Sequence, residues 1–300
     1  HKEIIYVRSV NFEMGHQFVS FQRCYRRQIL RKGMEHLNKQ AEIMSCRRKN
    51  TVFIYADDYD KYGFADHCDI FVPQQTLERS PRSGDLADIP AQQAEIERVQ
   101  ELFPHIRILK GIEIGMHPQC REQVKKLMAE NRFDQVIGSI HYIDDTDPFF
   151  GGYFEGKTWR EAYGYYLETI YREMSAWGDF DIMGHYDYVV RYCDYDQVDI
   201  LYKDFSDIFD EMFRYLIHNG KALEINTKSY LNYNGRQANL DLDVLKRYRE
   251  MGGEIISVGS DSHDAHAVGT DFEKYAAIVK SLGFRWAAHY EKRQLVQLPL

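Results

Sequence analysis

The sequence predicts an α/β fold in which parallel strands alternate with crossover helices. From about residue 108 onward, short apolar runs typical of buried strands alternate with segments whose apolar residues recur every three or four positions. Most of the apolar runs also end in a histidine or a carboxylate. This alternation leaves two architectures open, a closed barrel and an open doubly wound sheet, and in both the ligands gather at the carboxyl ends of the strands.

Charge distinguishes the first fifty residues from the rest of the chain. They hold eleven Lys or Arg against four Glu, whereas the complete 300-residue chain has a net charge of −8. The segment KEIIYV predicts a strand, and the apolar spacing after it predicts one amphipathic helix from Arg23 to Cys46. The basic run Arg47-Arg48-Lys49 is typical of a solvated turn, with phosphate binding as the alternative.

Two polar excursions are predicted to be surface loops near the site. The first runs from Pro73 to Pro90 and is punctuated by proline, which is typical of a long loop or a lid. The second covers residues 144–157 and directly follows His141, so we expect it to overhang the pocket. Because neither excursion separates two regimes of composition, we expect one domain over residues 1–300 rather than two domains joined by a linker.

Strands and helices alternate from residue 108 to the end of the chain. Strands are predicted for the runs IRILKGIEIG, QVIGSIHYI, DIMGHYDYV, ALEIN and EIISVGSD. Helices are predicted for REQVKKLMAE, Trp159 to Trp177, Phe205 to His218 before the stop signal Asn219-Gly220, and DLDVLKRYREMGG. Thr270 and Glu273 predict a capping box that opens a last helix.

Composition points to a soluble enzyme. No apolar run reaches the roughly 18 residues that a membrane span requires, and the N-terminal segment lacks a signal-peptide core, so we expect a cytoplasmic protein. The five cysteines are scattered and form no CxxC pair, which argues against a disulfide framework and against a thiolate zinc site. Cys68 lies beside His67 and could be a ligand, although a buried apolar role is commoner for such a cysteine.

Several reaction and binding classes are excluded or disfavoured. The acidic balance argues against broad nucleic-acid binding through phosphates. The chain has no GxSxG elbow for a serine nucleophile, and no GxxxxGK[ST] or GxGxxG loop for nucleotide phosphates. Metal-activated water is the mechanism that the remaining residues support.

Residue types that bind divalent metals stand at or just after the predicted strand ends: His67, Glu113, His141, His185, Asp261 and His263. Glu113 interrupts an apolar strand pattern, where a carboxylate is costly unless it is paired or bound to a metal. Asp261 and His263 are two residues apart and would face the same side of an extended segment. Taken singly, each histidine is more often structural. The set predicts a cluster of divalent metals that generates a hydroxide nucleophile.

Polar neighbours of these residues have more than one interpretation. Asp187 either orients His185 through its second ring nitrogen or takes part in a turn. Asp66 and Asp69 flank His67, and each could be a ligand, a hydrogen-bond partner of a ligand, or a cap. The other histidines are expected to be structural or exposed, with His266 a lesser candidate for the site: His105, His117, His218, His266 and His289.

At these motifs the chain resembles the polymerase-and-histidinol-phosphatase (PHP) family of metallophosphoesterases, in particular its monofunctional histidinol-phosphatases. FADHCD, GIEIG, GSIHYI, GHYDYVVRY, EINT and GSDSH follow in the family order over about residues 62–285. The set of motifs is specific, whereas no single one is. The resemblance implies a distorted TIM-like (β/α)7 barrel with up to three metal ions at its C-terminal mouth.

The resemblance also implies a role for each motif residue. Glu113 would bridge two metals, and His141 and His185 would complete the second site. Asp261 would serve the first metal, while His67 and His263 would serve the third.

Basic residues are implied as the binding site of the substrate phosphate: Arg191, Lys228 directly after EINT, and Arg236 a few positions on. Lysine is a point charge where an arginine would bind a phosphate through two parallel hydrogen bonds. From the residues alone, Arg191 is interpreted equally well as a surface ion pair with Asp194 or Asp196.

One family motif is missing. The family opens with a strand that ends in His-x-His and supplies two ligands of the first metal, whereas KEIIYVRSV offers Arg8 and Ser9. Residues 1–60 are therefore atypical of the family. Three explanations stay open: the first metal is absent or held differently, His16 or His36 substitutes, or this region is altered.

The sequence thus predicts a phosphomonoesterase that hydrolyses L-histidinol phosphate in histidine biosynthesis. We expect two to three divalent ions (zinc, manganese or iron), with Asp261 or His263 passing a proton to the leaving group. The partner is a small phosphate ester, whose ammonium group the acidic segment Asp144–Asp147 could favour. No nucleic-acid or membrane partner is expected, and a homo-oligomer stays open. The alternatives are a related phosphoesterase acting on another small ester or a nucleotide, and a catalytically silent metal-binding protein.

Overall fold

Seven parallel strands form the main sheet of the computed structural model, in the order β1-β4-β5-β6-β7-β8-β9. They are β1 (Ile4–Ser9), β4 (Lys61–Cys68), β5 (Arg107–Gly115), β6 (Gln135–Ser139), β7 (Ile182–Met183), β8 (Ala222–Asn226) and β9 (Ile256–Gly259). The edge strands β1 and β9 contact each other, so the sheet curls toward a barrel. The structure describes residues 4–9, 42–47, 50–55, 61–84, 86–104, 106–263 and 267–300, the first three ranges and residues 61–62 without their side chains.

The predicted strands are confirmed, but three of them are clearly shorter than predicted, including EIISVGSD, which contributes only the four residues of β9. The KEIIYV segment forms β1, which pairs in parallel with β4 and places Ser9 opposite Asp66. QVIGSIHYI contributes only the five residues of β6, so His141 follows the strand rather than ending it. DIMGHYDYV contributes only the two residues of β7. His141 and His185 therefore both lie after their strands rather than within them.

Seven α-helices are described: α1 (Gln74–Arg79), α2 (Ile89–Leu102), α3 (Arg121–Glu130), α4 (Trp159–Trp177), α5 (Ser206–His218), α6 (Leu242–Glu250) and α7 (Phe272–Ser281). The four helices predicted between residues 121 and 253 are confirmed. Helix α4 has the predicted bounds because Thr158 and Glu161 form a capping box at its start and Gly178 adopts φ 74° at its end. Its buried face includes Tyr166 and Leu167 in the main apolar core.

The prediction of a long surface loop from Pro73 to Pro90 is wrong. Helix α1 begins directly after Pro73, and Pro90 lies in the first turn of α2, where Asp88 caps the backbone N–H of Ala91. Both prolines precede or open helices, where a missing N–H costs nothing. Helix α1 packs on the second excursion, since Thr76 donates a hydrogen bond to Asp147 at 3.2 Å.

Two further predictions of local structure fail. The capping box at Thr270 and Glu273 is wrong, because Asp271 occupies the N-cap of α7 with φ 62° and no side-chain cap, while Thr270 donates to the Ala267 carbonyl. The helix predicted from Arg23 to Cys46 is wrong at its end, where strand β2 (Glu42–Arg47) pairs with β3 (Asn50–Tyr55). The rest of that helix, with His16, His36 and Arg48-Lys49, lies outside the described residues.

A C-terminal hairpin covers the end of the barrel where the strands begin. Strands β10 (Trp286–Glu291) and β11 (Gln294–Pro299) pair in antiparallel fashion, and Tyr290 packs with Ile137, Ile182 and Ala222. Arg293 in its turn forms ion pairs with Asp179 and Asp181. Within the residues that the structure describes, no helix combines the length and apolarity that a membrane crossing requires.

Candidate metal centre

The candidate ligands gather at the carboxyl ends of the strands. His67 on β4 and Glu113 on β5 are neighbours in register. His141, His185 and Asp261 each lie two residues beyond the last residue of β6, β7 and β9, respectively. All five ligands therefore lie at one end of the barrel, where the strands end.

The carboxylate of Glu113 is the meeting point of three imidazole rings. Its Oε2 lies 2.7 Å from Nε2 of His67, and its Oε1 lies 3.2 Å from Nε2 of both His141 and His185. Ser139 donates a further hydrogen bond to Oε1 at 2.6 Å. Glu113 is fully buried, with 0% of its surface exposed. The sequence prediction that Glu113 meets the rings at positions 141 and 185 is therefore confirmed.

The contact between His67 and Glu113 fits two ligands that face one cation. Nε2 of His67 and Oε2 of Glu113 are 2.7 Å apart, yet the contact lacks hydrogen-bond geometry although both atoms are buried. One ligand atom from each of His67, Glu113 and His141 lies within 4.8 Å of the others. Imidazole nitrogens and a carboxylate oxygen at such distances suit zinc, manganese or iron.

A second group shares His67 with the first. It joins His67 to Asp261 and His263, again with ligand atoms within 4.8 Å of one another. Nε2 of His263 lies 3.1 Å from Oδ1 of Asp261. Burial, which outweighs the Asp261 carboxylate, lowers the pKa of His263 to about 4, so its imidazole is neutral at pH 7 and offers a lone pair. The two groups would fit two neighbouring ions, with His67 serving one of them, because a neutral imidazole offers a single lone pair.

Asp261 is held by a buried basic network. Arg191 donates from Nη1 to Oδ2 of Asp261 at 2.8 Å, and its Nη2 donates to Asn226 and Ser229 at 3.0 Å. Burial alone would lower the pKa of Arg191, but the Asp261 carboxylate keeps that pKa above its ordinary value. Of the two interpretations of Arg191, the surface ion pair with Asp194 or Asp196 is wrong, because the side chain is 2% exposed and pairs with Asp261 instead.

Lys228 is the accessible cation of this group. Its side chain is 22% exposed, and Nζ lies 3.6 Å from Oδ1 of Asp261 and 3.1 Å from Nε2 of His263. Arg236 lies farther along the same loop, where its backbone pairs with Tyr233 and its charge acts on Tyr163. The structure therefore brings Lys228, rather than Arg236, beside the candidate ligands.

His141 and His185 are each fixed from behind. Nδ1 of His141 lies 2.8 Å from Oδ1 of Asp69. Burial alone would lower the pKa of His141, but the Asp69 and Glu113 carboxylates raise it to about 10. The backbone N–H of His185 donates to Oε2 of Glu224 at 2.7 Å.

Several flanking residues have roles that the sequence left open. Asp187 accepts a hydrogen bond from Ser229 at 2.7 Å, so its carboxylate serves the Arg191 network rather than His185. Cys68 is buried in the apolar core, in agreement with its commoner interpretation. In the predicted loop, Asp144 accepts from Tyr165 and Asp147 from Thr76. His105 and His266 lie outside the described residues.

Sequence reasoning missed Glu224 and Asn226 as members of the site. Glu224 is buried on β8, and Asn226 accepts from Arg191 at 3.0 Å. The signal was present, because a carboxylate inside the apolar run ALEIN is as costly as Glu113 inside GIEIG. A cleft of about 910 Å³ lies elsewhere, between α2 and the C-terminal hairpin, and none of the candidate ligands lines it.

Comparisons with known proteins agree with this geometry. A family model described as the PHP domain matches residues 54–228. A probable histidinol-phosphatase of Clostridium acetobutylicum is 30% identical over 62% of this chain and 72% of its own length. A histidinol-phosphatase of Lactococcus lactis is 28% identical over 85% of this chain and 92% of its own length.

A solved structure has the same fold over almost the complete chain. The crystal structure of a histidinol phosphate phosphatase from Lactococcus lactis, complexed with Zn, L-histidinol and phosphate, superimposes with a TM-score of 0.73. The alignment covers 98% of this chain and 99% of the other, at 23% sequence identity. At this identity the likeness establishes the distorted barrel fold.

Proposed function

The chain belongs to the PHP domain family, and from that premise we propose that it is a metal-dependent phosphomonoesterase that hydrolyses L-histidinol phosphate. The products are L-histidinol and inorganic phosphate, which places the reaction in histidine biosynthesis. The curated relatives that carry the histidinol-phosphatase name support this choice of substrate. The observation that carries the proposal is the convergence of His67, His141 and His185 on the buried carboxylate of Glu113.

Zinc is the ion that we assign first to this centre, because the Lactococcus lactis structure is complexed with Zn. Glu113, His141 and His67 would hold one ion, and Asp261 and His263 would hold another. When bound, such ions activate a water molecule and neutralise charge on phosphate oxygens. His185, whose Nε2 also faces Glu113, would complete the first of these sites.

The protein's own groups bind and orient the phosphate. Lys228 is partly exposed beside Asp261 and His263, so its ammonium group can contact a phosphate oxygen. Four hydrogens of the Arg191 guanidinium are already used. One on Nη1 goes to Asp261, the two on Nη2 go to Asn226 and Ser229, and the one on Nε goes to Ser229. One N–H of Nη1 remains for the substrate among the described residues. Both cations stabilise the negative charge that the transition state spreads over the phosphoryl oxygens.

The reaction balances with one water molecule. The water oxygen forms a bond to phosphorus as the bond between phosphorus and the ester oxygen breaks. One proton of that water ends on the leaving alkoxide, which departs as L-histidinol. Asp261 or His263 is placed to pass this proton, because their side chains lie beside each other and beside Lys228.

The missing His-x-His motif affects the ion next to Asp261. Strand β1 pairs with β4 as the first strand of the barrel, and its end at Ser9 lies opposite Asp66, one residue before His67. The count of tightly bound ions therefore decides whether the chain keeps the full centre or a reduced one.

The test is phosphate release from L-histidinol phosphate by purified, zinc-loaded protein, compared with AMP and p-nitrophenyl phosphate. We expect histidinol phosphate to be the best substrate and the Glu113→Gln variant to be inactive. Glu122→Gln is the matched control, because the Glu122 side chain is 82% exposed and pairs with Lys125 on helix α3. Hydrolysis of the other esters without hydrolysis of histidinol phosphate would overturn the substrate assignment. Zinc binding without hydrolysis of any ester would overturn the assignment as an enzyme.

A further inference from the structure

Asp69 and His141 form a buried pair behind the metal centre. Oδ1 of Asp69 lies 2.8 Å from Nδ1 of His141, and the two side chains are 14% and 4% exposed, respectively. The other ring nitrogen of His141, Nε2, faces Oε1 of Glu113 at 3.2 Å. The imidazole is thus held between a carboxylate behind it and the candidate ligand set in front of it.

This arrangement selects one form of the imidazole. The Asp69 carboxylate accepts a hydrogen bond from Nδ1–H, so the proton that a metal ion would displace from this ring is the one on Nε2, the nitrogen that faces the centre. A carboxylate behind a metal-binding imidazole also raises the basicity of the ligand and fixes the plane of the ring. The ring of His141 additionally stacks on His67 with a centroid distance of 4.8 Å. Asp69 therefore sets both the protonation and the orientation of His141.

Gly115 provides the space that this carboxylate occupies. A Cβ atom built on Gly115 would lie 1.8 Å from Oδ1 and 3.0 Å from Cγ of Asp69. A separation of 1.8 Å is one that real Cβ contacts do not show, so a side chain at position 115 would displace the carboxylate from His141. The end of strand β5 is thus shaped around the same oxygen atom that contacts the imidazole.

We propose that Asp69 is a positioning residue for His141, and that Gly115 is required because it admits the Asp69 carboxylate. This inference rests on the proposed function, since it assumes that His141 binds zinc. It assigns a role to Asp69, which directly follows β4, and to Gly115, the last residue of β5. Neither residue would ligate the ion itself. Their effect is transmitted through Nδ1 of a single ring.

The experiment is a zinc titration of metal-free protein against a chromophoric chelator. We expect Asp69→Ala to weaken zinc binding about 10- to 100-fold, as removal of a partner behind a ligand does. Asp69→Asn keeps an oxygen that accepts from Nδ1–H, so we expect it to recover part of the lost affinity. Gly115→Ala should weaken binding in the same direction as Asp69→Ala.

The double variant separates this mechanism from a general loss of structure. Once alanine replaces Asp69, the carboxylate that a methyl group at position 115 would strike is gone. We therefore expect Asp69→Ala with Gly115→Ala to bind zinc within about twofold of Asp69→Ala alone, since residues that act through one contact are not additive. Gly152→Ala is the control, because its Cβ would have only one neighbour, at 3.9 Å.

The outcomes distinguish this inference from the proposed function. Unchanged zinc affinity in Asp69→Ala, with a lower melting temperature of the metal-free protein, would overturn the positioning role. Independent, additive effects of the two substitutions would overturn the role of Gly115. If zinc affinity depends on Asp69 but wild-type protein hydrolyses no histidinol phosphate, the positioning role stands and the proposed substrate fails.

Discussion

Arg191 donates a hydrogen bond from Nη1 to Oδ2 of Asp261 at 2.8 Å, and both side chains are buried. Asp261 adopts φ 44°, in the left-handed region that side chains other than glycine rarely occupy. Such a conformation costs on the order of 1 kcal/mol or more and persists only where the surroundings hold it. The hydrogen bond from Arg191 is therefore part of what keeps the Asp261 carboxylate at the strand end.

Replacement of Arg191 by lysine keeps the charge but removes the planar fork. A single ammonium group cannot donate to Asp261, Asn226 and Ser229 in the same geometry, so Asp261 loses its support. We expect Arg191→Lys to lower kcat/KM for L-histidinol phosphate about 100-fold or more. Arg98→Lys is the control, since Arg98 pairs with Glu95 on an exposed helix face. A value within about threefold of wild type for Arg191→Lys would contradict this role.

The capping box of helix α4 predicts a stability effect that is independent of the site. The Thr158 hydroxyl accepts from the Glu161 backbone N–H at 3.3 Å, and the Glu161 carboxylate accepts from the Thr158 backbone N–H at 2.8 Å. We expect Thr158→Ala to lower the free energy of unfolding by about 1 kcal/mol in urea denaturation. Thr158→Ser keeps the hydroxyl and should stay close to wild type. Equal losses for both variants would show that the methyl group, not the cap, is responsible.

Helix and strand positions between residues 107 and 282 could be read from the sequence because their apolar spacing was undisturbed. The excursion from Pro73 to Pro90 could not, since proline marks both loops and the first turns of helices. Thr270 and Glu273 had the spacing of a capping box, but the N-cap of α7 is Asp271 in a left-handed conformation. No sequence motif predicts that conformation.

The ligand set could be predicted because each ligand follows an apolar run, whereas its supporting contacts could not. The pairing of Asp69 with His141 joins residues 72 positions apart, and the guanidinium of Arg191 meets Asp261 across 70 positions. Such contacts depend on the curvature of the sheet, which one sequence does not specify. Arg191 could therefore be interpreted equally as a surface residue, although it is buried.

His117 predicts a pH dependence of stability. It stacks on Phe71 with a centroid distance of 3.7 Å, and burial, partly opposed by the Asp144 carbonyl, lowers its pKa from 6.5. The folded protein therefore keeps the ring neutral, while the unfolded chain takes up the proton first as the pH falls. Stability is retained above pH 6.5 and is lost as the pH falls from 6.5 through the lower folded pKa.

The measurement is urea unfolding of wild type and His117→Gln between pH 8 and pH 5. This range extends about 1.5 pH units on either side of the ordinary imidazole pKa. We expect the wild-type free energy of unfolding to fall more steeply below pH 6.5 than that of the variant. Other titrating groups, including buried His289, are common to both proteins and cancel in the difference. Parallel curves over the full range would show that His117 does not contribute.

Zinc should stabilise the folded protein through Glu113. A ligand that binds only the folded state adds about 2.7 kcal/mol when its concentration is 100 times its dissociation constant. We expect zinc to raise the melting temperature of chelator-treated wild type, and to raise that of Glu113→Gln by less, because this variant keeps only the group of Asp261 and His263. Glu122→Gln should respond as wild type does. An equal zinc response in Glu113→Gln would place the bound ion away from this carboxylate.

The proposed chemistry requires above all a cation that is bound by both Glu113 and the imidazoles around it. Anomalous diffraction at the zinc edge, from crystals of zinc-loaded protein, tests this without reference to activity. We predict a peak about 2.0–2.2 Å from a carboxylate oxygen of Glu113 and from Nε2 of His67. The contradicting result is a zinc-loaded, active crystal form with no anomalous peak near the Glu113 carboxylate. Near here means within about 4 Å, roughly twice a zinc–ligand bond length.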